Sequence, residues 1–138
     1  MKMNVIIIYD LEEKNLLMCQ RAKEPYKGLY NLVGGHIEDG EAGLESAYRE
    51  LEEETGITKE DTILTHLMDF KYHMPQEEVQ VYVGKLNKKI DVVVEAHELH
   101  WISVDDDFFD MNKYAGEGNI GHMIEHVKYN KDQVLRVK

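Results

Sequence analysis

Residues 35–57, GHIEDGEAGLESAYRELEEETGI, decide how the rest of the chain is read. Gly34, Gly35, Asp39 and Gly40 open the stretch with turn chemistry and Thr55-Gly56 closes it, so residues 43–55 are expected to form a helix. At about 100° per residue, Leu44, Ala47, Tyr48 and Leu51 fall on one apolar stripe able to pack on a core. Glu50, Glu53 and Glu54 stand at i, i+3 and i+4 and crowd one flank beside that stripe, whereas Glu45 and Glu52 point toward water. Three carboxylates that repel one another bring an ordinary helix surface nothing. A hard divalent cation such as Mg2+, which prefers oxygen donors, turns that repulsion into binding energy. The Gly34-Gly35 pair permits a tight turn and a close backbone approach, which puts the Gly35 carbonyl within reach of the same cation.

In a chain with 27 acidic residues, a glutamate triplet at helical spacing is unremarkable by itself. The full pattern is far more demanding. It runs from Gly35 over five residues to Glu41, over seven more to Arg49-Glu50-Leu51, and on to Glu53-Glu54 and Gly56-Ile57. Even at this glutamate content, a chance match is on the order of one in a million. The spacing resembles in full the signature of the Nudix hydrolases, and the resemblance runs from end to end of the chain. One departure is Val33, where many relatives carry proline; it touches the entry to the turn and leaves the ligand set alone.

The resemblance implies an α/β fold, an α/β/α sandwich with a mixed sheet and the signature helix against it. It implies Mg2+ as cofactor, with Mn2+ as a substitute, held by Glu50, Glu53, Glu54 and the Gly35 carbonyl. Arg49 is four residues from Glu53, a spacing that lets an ion pair fix the carboxylate's rotamer. Glu41 is expected to act in a similar supporting way. The general base is left between Glu53 and Glu95, with Glu98 as the neighbour of the latter; Glu95 stands six residues before Trp101, as in one branch of the family. The implied reaction is attack of water on phosphorus in a nucleoside diphosphate linked to another group. The preferred substrate is a nucleoside triphosphate, with 8-oxo-dGTP or another dNTP as the candidates, giving a monophosphate and pyrophosphate. A sugar- or dinucleoside-diphosphate is the alternative within enzymes, and a non-catalytic nucleotide sensor is the alternative outside them.

Composition sets the bounds. At 138 residues and 43% hydrophobic, the chain is expected to be a single domain over 1–138 with its own core. One cysteine, Cys19, excludes an internal disulfide and fits a reducing compartment, so cytoplasm is the expected location. No apolar run approaches the roughly 18 residues of a membrane span, and residues 1–10 read as a strand in preference to a secretory signal. A net charge of −11 argues against a broad nucleic-acid face, while leaving room for a small phosphorylated ligand offset by metal ions. Monomer and homodimer are both open.

Residues 5–9 and 16–21 read as a hairpin; 62–72 and 78–86 as strands joined by a turn at Met74-Pro75-Gln76; 92–94 and 99–104 as short strands. Asp105-Asp106-Asp107 reads as the cap of a short helix carrying Phe108, Phe109 and Met111, and 119–129 as a final helix. The tail at 133–137 is apolar enough to pack, with no place assigned to it. Arg21, Lys23 and Lys27 give one loop a positive character, and Arg21 suits bidentate phosphate binding. Asn31 and Asn119 carry amides able to read a base edge, although capping of the last helix is the plainer role of Asn119. Tyr30 or Phe109 is placed to stack on such a base. His122-Met123-Ile124-Glu125-His126 fits a zinc-protease pattern. Only Asp132 follows as a further ligand, so a helix packed by Met123, Ile124 and Val127 is the sober account.

Overall fold

The protein is described here from a computed structural model covering residues 1–74, 76–91 and 98–137. Its elements follow in the order β1 (Lys2–Tyr9), β2 (Asn15–Gln20), β3 (Tyr30–Asn31), α1 (Gly43–Thr55), β4 (Thr65–His73), β5 (Gln76–Lys85), β6 (Glu98–Ser103), α2 (Asn119–Tyr129) and α3 (Lys131–Val134). Ile6, Ile7 and Ile8 of β1 are all fully buried. An unbroken apolar run of this kind marks a strand covered on both faces. Strand β1 accordingly lies inside a mixed sheet, parallel to β5 on one side and antiparallel to β2 on the other, in the order β3-β2-β1-β5-β4 with β6 paired to β2.

Alternation along the strands sorts the apolar residues into two layers. Ile6, Ile8, Leu17 and Tyr82 join Ala47 and Leu51 of α1, while Ile7, Tyr9, Met18, Val81 and Val83 join Ile120, Ile124 and Val127 of α2. The expected α/β/α sandwich with a mixed sheet is therefore what forms. The apolar tail finds its place too, with Val134 buried and Leu135 packed against the α2-side layer.

Three local expectations need adjustment. β1 and β2 run antiparallel, yet their ladder register is Tyr9↔Leu16 alone, and β2 instead pairs along its whole length with β6. The helix expected over 105–111 is a series of turns: Asp107 accepts the Phe109 N–H and Asp110 accepts the Asn112 N–H, each two residues on. Such local bonds satisfy the backbone without propagating a helix. In α1, Leu44 is exposed, and Ser46, Ala47, Leu51 and Thr55 face inward. The helix approaches β5 through Gly43, where a Cβ would collide with Gln80 and Tyr82, and that close approach turns Leu44 outward. The expected strand at 92–94 and Pro75 of the expected turn lie outside the described residues, while β4 and β5 on either side of that turn pair antiparallel as read.

Candidate active site

Helix α1 begins after Ala42, which makes no side-chain cap bond, and ends at Gly56, whose φ of 80° and N–H to the Glu52 carbonyl close the last turn. That last turn holds no basic residue. Glu53 and Glu54 therefore sit at the negative end of the helix dipole, the end that favours cations. Burial adds to the cost for Glu54. Its carboxyl is pushed up to about 7, first by desolvation, with Glu50 and Glu53 adding to the rise and the Gly34 N–H opposing it.

Arg49 organises the cluster. Its Nε donates to Glu41 Oε2 at 2.8 Å and its Nη2 to Glu41 Oε1 at 3.0 Å, a bidentate pair. Its Nη1 donates to Glu50 Oε1 at 3.1 Å and to Glu53 Oε2 at 3.2 Å, and Nη2 also reaches the His36 carbonyl at 3.1 Å. The two bonds from Arg49, with a lesser one from the Glu38 N–H, hold the Glu41 carboxyl below its usual range. The i, i+4 bond to Glu53 expected from spacing is present, but the paired bonds go to Glu41, nearer the helix start.

Glu54 Oε2 accepts the Gly34 N–H at 3.0 Å. Glu50 presses its carboxylate against Gly35: a Cβ there would stand 2.5 Å from Glu50 Cδ. Among the described residues, no three His, Cys, Asp or Glu side chains are already drawn together as a metal cage. Arg49 claims both oxygens of Glu41 but only one each of Glu50 and Glu53, and the Gly34 N–H claims one of Glu54. Glu50 Oε2, Glu53 Oε1 and Glu54 Oε1 have no hydrogen-bond partner among the described residues. An all-oxygen donor set, an inward-facing glycine and carboxylates that destabilise one another are what a hard cation requires. The Gly35 carbonyl already accepts the Asn4 N–H at 2.8 Å, whereas the Gly34 carbonyl has no such partner among the described residues.

Beside the cluster lies a cleft of about 430 Å³ whose lining includes Arg21, Lys23, Asn31, Gly35 and Glu54. Arg21 Nε donates to the Pro25 carbonyl at 2.7 Å, which fixes the guanidinium while its two terminal nitrogens keep no partner among the described residues. Asn31 Oδ1 accepts the Leu32 N–H. Arg21 and Asn31 thus share this cleft with Glu54 and Gly35, whereas Glu50 and Glu53 are not part of its lining. Tyr30 and Asn119 do not line this cleft. The Tyr30 ring packs edge-on against His100 at 5.4 Å and near Tyr114, and the Asn119 amide donates to the Tyr72 hydroxyl. The cap of α2 is Gly118, not Asn119. Phe109 lies over Gly121. Glu95 lies outside the described residues, and Glu98 is exposed beside His100, 3.1 Å from its Nε2. The His122 and His126 rings meet edge to face at 4.7 Å while Glu125 pairs with Lys128.

Sequence reading missed Asn4 and Cys19. Asn4 is buried, accepting the Gly35 N–H at Oδ1 (3.0 Å) and donating from Nδ2 to Ser46 Oγ (2.8 Å). Its one signal was an amide directly before the apolar run of β1. Cys19 lines the cleft with a thiol pushed up to about 11 by burial, which keeps it protonated.

Known proteins share this fold. The NUDIX domain model matches residues 2–122. ADP-ribose pyrophosphatase of Methanocaldococcus jannaschii is 28% identical over 101 residues, 73% of this chain and 57% of that protein. The chain thus spans little more than half the length of that curated relative. The C. elegans Ap4A hydrolase, solved as a binary complex, matches with a TM-score of 0.73 at 25% identity over 94% of this chain and 98% of its own. The E. coli dihydroneopterin triphosphate pyrophosphohydrolase has the same fold, with a TM-score of 0.72 at 20% identity over 94% and 95%. Among the described residues, no helix is long and apolar enough to cross a membrane.

Proposed function

Because this chain belongs to the Nudix hydrolase family, we propose that it is a Mg2+-dependent pyrophosphohydrolase of a nucleoside diphosphate joined to a sugar or to a second nucleotide, working as a single domain. The observation that carries this reading is one arginine, Arg49, holding Glu41, Glu50 and Glu53 beside the cleft where Glu54 and Arg21 meet.

The cation, Mg2+ or Mn2+, is assigned to Glu50, Glu53 and Glu54 through their uncommitted oxygens, together with a main-chain carbonyl of the Gly34-Gly35 turn. Gly35 was the carbonyl expected from the sequence, and Gly34 offers the one not already engaged. When bound, the cation neutralises phosphate charge and makes a water more acidic. The residues do the rest. Arg49 keeps Glu50 and Glu53 from swinging apart, so their rotamers are set before substrate arrives. Glu53, the most exposed of the three at 58%, is the general base: in that role its Oε1 takes the proton from the attacking water, and the cation would be left to Glu50, Glu54 and the turn carbonyl. Glu95 is the rival base. Arg21, braced by Pro25, binds the phosphate that leaves, and Asn31 offers amide hydrogens to the rest of the ligand.

Two facts favour the sugar or dinucleotide substrate over the oxidised purine triphosphate expected first. Of the residues expected to read or stack on such a base, Tyr30 and Asn119 are engaged outside the cleft and Phe109 lies over Gly121, so Asn31 alone of them lines it. The named relatives include an ADP-ribose pyrophosphatase and an Ap4A hydrolase. A nucleoside triphosphate, 8-oxo-dGTP included, is the second reading. Arg21, Lys23 and Lys27 favour it, because none is ion-paired among the described residues and a longer phosphate chain brings more charge.

The test is product formation from ADP-ribose, Ap4A, dGTP and 8-oxo-dGTP with Mg2+, Mn2+ or chelator. The proposal expects turnover of ADP-ribose or Ap4A with the cation and none with chelator. Faster turnover of the triphosphates moves the assignment to the second reading. Tight binding with no hydrolysis of any of the four makes the chain a sensor.

A further inference from the structure

Asn4 stands one strand away from the acidic cluster, yet three of its groups are spent on holding the site's parts together. Its N–H donates to the Gly35 carbonyl at 2.8 Å, and its Oδ1 accepts the Gly35 N–H at 3.0 Å. Its Nδ2 donates to Ser46 Oγ at 2.8 Å, and Ser46 Oγ in turn donates to the Gly43 carbonyl at 2.7 Å. Asn4 is 1% exposed and Ser46 fully buried. A buried amide with donor and acceptor both satisfied has one favourable orientation. This one links the glycine turn to the first turn of α1 across β1.

The separation that Asn4 sets is the one on which the cluster depends. Glu50 presses on Gly35 from α1, and Glu54 reaches the Gly34 N–H from the same helix. A shift of the turn relative to α1 therefore moves the main-chain carbonyl away from the carboxylates. An amide is required, because only a group with both donor and acceptor can serve Gly35 and Ser46 at once. Leucine would fill the space and keep only the main-chain N–H bond to the Gly35 carbonyl, leaving the Gly35 N–H and Ser46 Oγ without their amide partner.

We propose that Asn4 is a positioning residue for the cation site, setting the Gly34-Gly35 backbone against the α1 carboxylates through Ser46. This rests on the assignment of Glu50, Glu53 and Glu54 as cation ligands.

Mn2+ titration of the intact chain, followed by electron paramagnetic resonance, reads the site without any substrate. Asn4→Ala is expected to weaken Mn2+ binding at least about tenfold, and Ser46→Ala by about threefold, since each lost bond frees the turn. Val127→Ala, in the core on the far side of the sheet, destabilises the fold and is expected to bind Mn2+ as the parent does. Where Asn4→Ala does not fold, Ser46→Ala decides. Unchanged Mn2+ affinity in the folded variants overturns the positioning role, as does an equal loss in Val127→Ala. A parent chain that takes up no Mn2+ overturns the ligand assignment itself, which separates that failure from failure of the clamp.

Discussion

Arg49 and Glu41 form the one bidentate pair in the acidic cluster, Nε to Oε2 at 2.8 Å and Nη2 to Oε1 at 3.0 Å. That grip fixes the guanidinium plane and leaves Nη1 to serve Glu50 and Glu53 together. A lysine keeps the charge and cannot hold three carboxylates in a fork. Arg49→Lys is therefore expected to fold normally and to lose about tenfold to a hundredfold in kcat, measured on the best substrate of the panel. Full activity would mean that the fork has no role.

Glu53 is exposed and contributes little to the fold, so its replacement tests chemistry alone. Glu53→Gln is expected to lower turnover at least about a hundredfold, the usual cost of losing an acid–base or key electrostatic group. The melting temperature should stay within about 2 °C of the parent, as for most surface substitutions. Wild-type turnover at saturating Mg2+ removes Glu53 from the mechanism and points to Glu95.

Glu54 gives a pH signature in the metal-free protein. Its folded carboxyl is raised, first by burial and then by Glu50 and Glu53, to about 7. An acid with a raised folded pKa favours folding below its unfolded value, and that stability is lost as pH climbs through the folded one. Glu54→Gln, neutral throughout, should melt a few degrees higher than the parent at pH 8 and at nearly the same temperature at pH 4. Thermal scans in chelator at the two values suffice. A difference of the same size at both values shows that charge is not the cause.

Gly35 is required by contact, not by backbone angle. A methyl there meets the Glu50 carboxylate at 2.5 Å and must push it away. Gly35→Ala is expected to fold, to weaken Mn2+ affinity at least about tenfold and to lower kcat with it. Equal Mn2+ affinity in the variant would show that Glu50 can move freely.

Leu51 is fully buried between α1 and the sheet with Ile6, Ile8 and Leu17. Leu51→Ala should cost about 2–5 kcal/mol in denaturant unfolding, the range for a truncated core leucine. A smaller loss would mean that the sheet closes on the space.

What could be read from the chain was mostly local. The span of α1 matched because its turn residues and its periodicity agree, and the β4–β5 pairing matched because a short turn brings neighbours together. The pairing of β2 with β6 was not legible, since about 80 residues separate them and strand periodicity carries no partner label. Leu44 misled because hydrophobic periodicity ignores how near a helix comes to its sheet; Gly43 and Ala47 set that distance here. Within the site, the Arg49 pairing with Glu53 followed from helical spacing. Asn4 could not, because its partners Gly35 and Ser46 are 31 and 42 residues away. Tyr30 and Asn119 were assigned by residue type, which says nothing of the neighbours that occupy them.

The rotation of α1 between Gly43 and its closing Gly56 also governs which kinds of genetic change this segment can tolerate. One codon added between Glu50 and Glu53 would swing everything beyond it by about 100° and slide it about 1.5 Å along the axis. Glu53 and Glu54 would then face a different side of the molecule from Glu50, although every letter of the motif survived. Helix geometry thus tolerates exchange of residues in this segment but not insertion or deletion, which surface turns such as the one joining β1 to β2 can absorb.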